Sequence, residues 1–230
     1  MDFGKAKVLW EIDLPRAHQM GSNHLDIGCG VRPRNPFRSK EVYACDLLDP
    51  KKVSIECKYE QCDITLGLPY DSNYFTSVSA YDVLEHVPRI RLENGKTVFP
   101  FVRLMSEIHR VLKPGGFFYA VTPMFPSIAS FSDPTHVNHI TLETVSYFGN
   151  SSHARSLGYG FDASFEIVFA NWLKGAGPFS SGESLFEVIE TSGLSSQSIS
   201  AGLKLANRYF RRLINRNPTH GLWVLKKHFS

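Results

Sequence analysis

Apolar positions along this chain come in short runs closed by acids, glycines or prolines, interrupted by one longer helical stripe. The run His24–Ile27 opens into the turn Gly28–Gly30, and Val42–Asp46 is a second run ending in an acid. A third closes at Gln61–Ile64, and a fourth covers Val78–Val87. Between Val98 and Leu112 the apolar residues fall at 98, 101, 102, 105, 108, 111 and 112. That i, i+3, i+4, i+7 spacing predicts an amphipathic helix. Lys113–Gly116 predicts a tight turn that ends it, and Phe117–Val121 a fifth strand. Phe165–Trp172 and Gly221–Lys226 read as a sixth and a seventh. Strands separated by helical and turn segments predict an α/β fold with a largely parallel sheet.

Three stretches depart from this rhythm. Residues 1–22 carry scattered apolar positions (Val8, Leu9, Trp10, Ile12, Leu14) and are expected to cap the pocket at the sheet edge. Pro33 and Pro36 stand where the first helix should begin and are expected to shorten or displace it. Residues 174–219 form an insert between the last two strands, far longer than an ordinary connection. Its first part is rich in Gly and Ser. Its second, Gly202–Arg216, predicts a helix with Leu203, Ala206, Phe210, Leu213 and Ile214 on one side and Lys204, Arg208, Arg211 and Arg212 on the other. A basic amphipathic face of this kind suits solvent, a peripheral membrane contact or a homodimer contact.

Composition narrows the class. The 230 residues are read as one domain, with ordinary apolar and charged fractions. A net charge of +3 is too small to argue for nucleic acid. DNA is not expected as a partner, and RNA is disfavoured. The four cysteines (29, 45, 57, 62) lack a C-x-x-C pair and read as reduced thiols, not as disulfides or a zinc site. No apolar run reaches membrane-spanning length and residues 1–22 lack a signal-peptide core, so a cytoplasmic place is expected, at the inner membrane surface if the basic helix binds lipid.

The glycine turn carries the chemistry. Gly28 and Gly30 let the backbone turn sharply and approach a ligand closely. Asp46, about 20 residues beyond the first strand, stands where open α/β sheets hold the two hydroxyls of a ribose. A dinucleotide site would need a third glycine against a pyrophosphate, and here the turn continues Val31, Arg32, Pro33. Asp26 just before the turn suits a cationic group on the ligand, such as an ammonium. Asp63 ends the third strand, and Asp82–Val87 and Arg110–Val121 follow in order.

Over residues 24–125 these motifs resemble the class I S-adenosylmethionine-dependent methyltransferases. The resemblance implies a three-layer α/β/α Rossmann-like sandwich with a seven-stranded, mostly parallel sheet whose last strand is antiparallel. It also implies S-adenosyl-L-methionine as cofactor, with Asp26, Gly28 and Gly30 as the first motif, Asp46 on the ribose, and Asp63 with Ile64 on the adenine. Arg32 and Pro33 replace the family's small residues and suggest a second task for that loop. An Arg32 and Arg34 fork would suit an acidic acceptor, and salt bridges to Asp46 or Asp49 are the plainer alternative.

Two segments supply acceptor chemistry, Asp82–His86 and Asp133–His139. One Asp, one Glu and two His make a mixed oxygen and nitrogen set for a divalent ion. The pattern is similar to the metal sites of small-RNA 2′-O-methyltransferases and of ubiquinone-pathway O-methyltransferases. That likeness implies Asp82, Glu85, His86 and His136 as ligands of Mg, Mn or Zn, with Asp133 and His139 orienting them. Without a metal, His86 and His136 remain candidate catalytic residues, as base or acceptor contact. Phe125, Phe131, Tyr147 and Phe148 could stack on a sugar or pack a lid. The arginine–proline loop and the Asp133–His136 segment together are similar to bacterial methyltransferases of surface polysaccharides. The expected function is therefore O-methylation of a small-molecule or glycan hydroxyl. An RNA 2′-O-methyltransferase and a non-catalytic cofactor-binding subunit are the alternatives.

Overall fold

The computed structural model describes residues 23–37, 39–53, 57–149, 159–174, 187–188 and 219–229. The strands are β1 (Asn23–Ile27), β2 (Glu41–Asp46), β3 (Lys58–Gln61), β4 (Phe75–Tyr81), β5 (Arg91–Glu93) and β6 (Lys96–Val98). Helix α1 (Pro100–Val111) leads into β7 (Leu112–Pro123), and a short α2 (Ala129–Ser132) precedes β8 (Phe165–Lys174), β9 (Glu187–Val188) and β10 (His220–Lys227).

The main sheet has the order β3-β2-β1-β4-β7-β10-β8-β9. The first five strands of this order are mutually parallel. β10, the last in the chain, runs antiparallel between β7 and β8. The expected seven-stranded sheet with an antiparallel last strand is thus present, and the two-residue β9 extends its edge. The chain moves outward from β1 to β3 and then returns to the other side of β1 as β4. At such a switch point the carboxyl ends of the two central strands part and leave a crevice.

α1 buries Phe101, Leu104, Met105, Ile108 and Val111, a stripe at the predicted spacing, in a core shared with Phe75, Phe118, Phe148 and Trp223. Pro100 sits in its first turn, where the missing N–H costs nothing. On the other side of the sheet, Phe117, Tyr119, Val121, Leu222 and Val224 pack with the partly buried Phe37. No helix forms over the described residues between β1 and β2; turns and bends occupy it, as the prolines predict. Phe37 instead lays its ring against Phe117 and Tyr119, 6.3 and 6.2 Å between centroids.

Several boundaries move: β3 ends at Gln61 rather than at Asp63, and α1 begins at Pro100, with Val98 taken into β6. The predicted fourth strand over Val78–Val87 ends at Tyr81, because Asp82 takes a left-handed backbone (φ 51°) and a 3₁₀ turn, Leu84–His86, follows. Lys113–Gly116 is no free turn but an irregularity within β7: from Phe75 to Ser77 on β4, the facing chain runs from Leu112 to Phe117. Gly115, at φ 76°, permits that bulge. The cap over residues 1–22, the basic helix over 202–216 and most of the insert over 174–219 lie outside the described residues.

Candidate functional site

The glycine turn stands at the carboxyl end of β1. Gly28 (φ 62°) donates its N–H to the Cys45 carbonyl, 2.8 Å, and a Cβ there would lie 2.3 Å from Val83 Cγ2. Only glycine fits between the two loops. Gly30 (φ 60°) has open space where a Cβ would point, and its N–H donates to Asp46 Oδ2 at 2.9 Å. The Leu48 N–H donates to Asp46 Oδ1 at 3.2 Å. Asp46 is therefore tied to the turn it faces. Asp63 Oδ1 accepts from the Thr65 N–H and hydroxyl, 2.9 and 2.7 Å, beside the buried Ile64.

Asp26 behaves differently from its expected role beside a cationic ligand. It is buried, and both its oxygens are occupied by protein: Oδ1 accepts from the Ser79 hydroxyl at 2.5 Å, Oδ2 from the Arg34 N–H at 2.8 Å. Burial pushes its carboxyl up to about 7, against the opposing pull of those two hydrogen bonds. Behind it lies His24, with Nε2 2.9 Å from Ser79 Oγ and Nδ1 2.8 Å from Ser77 Oγ. Since Ser79 gives its proton to Asp26, it accepts from His24 Nε2–H, and Nδ1 accepts from Ser77. Burial holds this imidazole neutral, down to about 3. The Arg34 guanidinium stacks over the Tyr81 ring, 4.4 Å to its centroid. Asp49 caps the Lys51 N–H.

The second constellation lies beyond β4. Glu85 is 1% exposed; its Oε2 accepts from the Thr122 hydroxyl at 2.9 Å, and its Oε1 has no hydrogen-bond partner. Burial raises its carboxyl to about 8. His136 brings Nε2 to 3.9 Å from that Oε1, and its own Nδ1 is buried without a hydrogen-bond partner. His86 packs edge-on against His136, 4.8 Å between centroids. The backbone ties both segments together, as the Val137 and Asn138 N–H groups donate to the Glu85 carbonyl at 2.9 Å.

Asp133 fixes the His86 tautomer indirectly. Thr135 donates its hydroxyl proton to Asp133 Oδ1, 2.6 Å, so its oxygen accepts from His86 Nδ1–H at 2.9 Å. The Nε2 lone pair of His86 is then available to a ligand. One atom each from Glu85, His86 and His136 lie within 4.8 Å of one another. Asp82, expected in the same set, points elsewhere: its Oδ1 lies 3.0 Å from His220 Nε2. His139 is also apart, stacked on Phe131 at 4.6 Å. Of the four aromatics named above, Phe148 belongs to the core, Tyr147 packs on it, and Phe125 and Phe131 are exposed.

A family model described as a methyltransferase domain matches residues 25–120, the stretch from β1 to β7. Residues 25–120 are thus similar to a methyltransferase domain. Squalene methyltransferase 2 of Botryococcus braunii is 31% identical over 149 residues, 56% of this chain and 34% of that protein. The chain thus spans about a third of that relative's length. Among solved structures, a SAM-dependent methyltransferase from Archaeoglobus fulgidus superposes with a TM-score of 0.54 at 19% identity, covering 90% of this chain and 86% of that one. Phosphoethanolamine N-methyltransferase 2 of Haemonchus contortus, solved with S-adenosyl-L-methionine, gives 0.50 at 16% identity and covers 91% and 49%. These two likenesses show the fold.

The matched stretch holds Asp26, Gly28, Gly30, Asp46, Asp63, Ile64, Asp82, Glu85 and His86, whereas His136 and His220 come from beyond residue 120. Reading along the chain missed His220, Thr122, Thr135 and the His24–Ser79 relay. Thr135 lay inside a segment already singled out. His220 had no signal in spacing, because its partner Asp82 is reached only through the pairing of β10 with β7.

Proposed function

We propose that the protein transfers a methyl group from S-adenosyl-L-methionine to the hydroxyl oxygen of a small or glycan acceptor. The observation that carries this reading is the buried Glu85 beside two imidazoles at the carboxyl edge of the sheet, next to the glycine turn. Asp46 accepts the ribose hydroxyls, Asp63 and Ile64 receive the adenine, and Gly28 and Gly30 let the backbone lie against the cofactor. Asp26 holds the turn in shape through Arg34 and Ser79 rather than by touching the ligand. A sulfonium methyl is already electrophilic, so alignment supplies most of the rate.

A hydroxyl acceptor must also lose a proton. Glu85, His86 and His136 fit a divalent ion: one oxygen and two nitrogen donors converge, and Glu85 Oε1 and His136 Nδ1 are buried without hydrogen-bond partners. Their 4.8 Å spread must close toward the roughly 3.4 Å that separates two donors at about 2.1 Å around a tetrahedral ion. Bound there, an ion would lower the pKa of an acceptor hydroxyl. His86 Nε2, free of Thr135, would be a ligand or, without a metal, a base.

A second reading has its own support. Phe125, Ile128, Phe131 and Val137 are exposed on the loop that carries His136, and an apolar acceptor would cover them. The relative from Botryococcus braunii bears an apolar hydrocarbon in its name. No helix among the described residues is long and apolar enough to cross a membrane. Incubation with methyl-labelled cofactor and separate pools of nucleotide sugars, glycans, catechols, terpenoid alcohols and RNA, each with and without chelator, tests the proposal. Label in sugars, glycans or catechols that chelator abolishes and Mn²⁺ or Zn²⁺ restores supports it in full. Label in the terpenoid pool selects the apolar reading, and label in RNA the nucleic-acid one. Cofactor binding with no label anywhere leaves a non-catalytic subunit.

A further inference from the structure

Asp63 is held by a hydrogen-bond network that begins on the β5–β6 hairpin, distant from it in the chain. Asn94 and Gly95, both at positive φ (50° and 75°), make the two-residue turn that joins these strands and pairs Glu93 with Lys96. Arg91 and Glu93, two residues apart on β5, share one of its faces. Glu93 Oε1 accepts from Arg91 Nε at 2.9 Å and also from Arg91 Nη2. From α1, Arg103 Nη2 donates to Glu93 Oε2 at 3.1 Å, so both carboxylate oxygens are engaged.

The third guanidinium nitrogen, Arg91 Nη1, leaves this ion pair and donates to Thr65 Oγ1 at 2.9 Å. A guanidinium cannot accept, so the Thr65 hydroxyl turns its own proton to Asp63 Oδ1, 2.7 Å away. The Thr65 N–H donates to the same oxygen at 2.9 Å, and Arg103 Nη1 donates to the Thr65 carbonyl at 3.4 Å. Both donors to the Asp63 side chain thus meet Oδ1, and no described residue takes Oδ2. The plane of the carboxylate is fixed, with Oδ2 left for a ligand. An ionised carboxylate only accepts, and the one N–H group of adenine in a nucleoside is its exocyclic amine.

A brace for the hairpin alone does not require the branch from Arg91 to Thr65. The hairpin is already anchored by Arg103 on Glu93 and by the Phe101 N–H on the Pro88 carbonyl, 3.1 Å. Arg89 adds a third anchor, its Nε donating to Asn138 Oδ1 at 2.6 Å. We infer that Arg91, acting through the Thr65 hydroxyl, is a positioning residue for recognition of the adenine amine by Asp63. The inference rests on the adenine placement proposed above.

The test is titration calorimetry of S-adenosyl-L-homocysteine against its deamino analogue, which carries hydrogen in place of the adenine amine. Melting temperature is measured on every variant. The wild type is expected to prefer the amine roughly 10- to 100-fold, the usual strength of one charged hydrogen bond. In Asp63→Asn the two Thr65 donors hold the amide oxygen in the place of Oδ1 and turn the NH₂ toward the amine, so the preference should vanish. Thr65→Val should reduce the preference roughly 5-fold, the share of one neutral hydrogen bond, and Thr65→Ser should keep it. Arg91→Ala should reduce it in the same direction. The double variant should lose no more than Thr65→Val alone, since Arg91 acts through that hydroxyl. A network that only supports the fold would lower the melting temperature and weaken both ligands alike. An unchanged ratio in Thr65→Val and Arg91→Ala, with the preference lost in Asp63→Asn, overturns the positioning role and leaves the adenine placement standing. No preference in the wild type, or one indifferent to Asp63→Asn, overturns the adenine placement and the inference with it.

Discussion

Glu85→Gln separates a buried neutral carboxyl from a metal ligand. Burial moves the Glu85 carboxyl from an ordinary 4.5 to about 8 in the metal-free protein. At ~1.36 kcal/mol per pH unit, that displacement corresponds to roughly 4–5 kcal/mol between the two protonation states. Unfolded, Glu85 ionises near pH 4.5; folded, it keeps its proton until about pH 8. Across that window the folded state binds the extra proton, so stability falls as pH rises and levels off above it. Gln has the same shape and no proton to lose, and its carbonyl can still accept from Thr122. Asp26, whose carboxyl is raised to about 7, adds a slope that both proteins share. The difference between them isolates Glu85. Urea denaturation in excess chelator, at intervals from pH 5 to 9, should show the variant gaining about 3–4 kcal/mol on the wild type between pH 5 and 8. Saturating Mn²⁺ or Zn²⁺ should abolish that gain, since a bound ion keeps the wild-type carboxylate anionic. Parallel stability curves in chelator would mean that Glu85 is ionised in the folded protein, and the burial argument would fail.

Asp46→Ala should weaken S-adenosyl-L-methionine and its demethylated product by roughly 1.5–3 kcal/mol per lost charged hydrogen bond, read by titration calorimetry, with NAD giving no heat in either protein. Because Asp46 also accepts from the Gly30 N–H, part of that loss reflects a loosened turn. Gly28→Ala should destabilise the fold by roughly 1–3 kcal/mol through its left-handed backbone, beyond the clash of its Cβ with Val83. In a Val83→Ala background the clash goes and only the backbone cost remains, which chemical denaturation can separate.

The sheet was legible in the sequence because short apolar runs closed by turn residues have few other ways to bury themselves. The turn at Gly28 and Gly30 was legible too, since a sharp turn needs positive φ, and Asp46 closes β2 as expected, whereas β3 ends at Gln61, two residues before Asp63; the α1 stripe kept its predicted spacing, with Leu104 added and Val98 left in β6. Pro33 and Pro36 pointed to a shortened or displaced first helix, and the described residues there form none; that Phe37 would pack on the sheet was not legible. What the sequence could not decide was where side chains point once strands far apart in the chain lie side by side. Asp26 looked like a ligand-facing acid and is instead closed off by Ser79 and Arg34, brought to it by β4 and by the loop. Asp82, Glu85 and His86 are close in sequence, yet the left-handed turn at Asp82 sends one carboxylate to His220 and the other to His136. Local pattern sets which backbone forms; partners joined by strand pairing over long separations depend on the register of β7 with β10, which only the folded sheet defines.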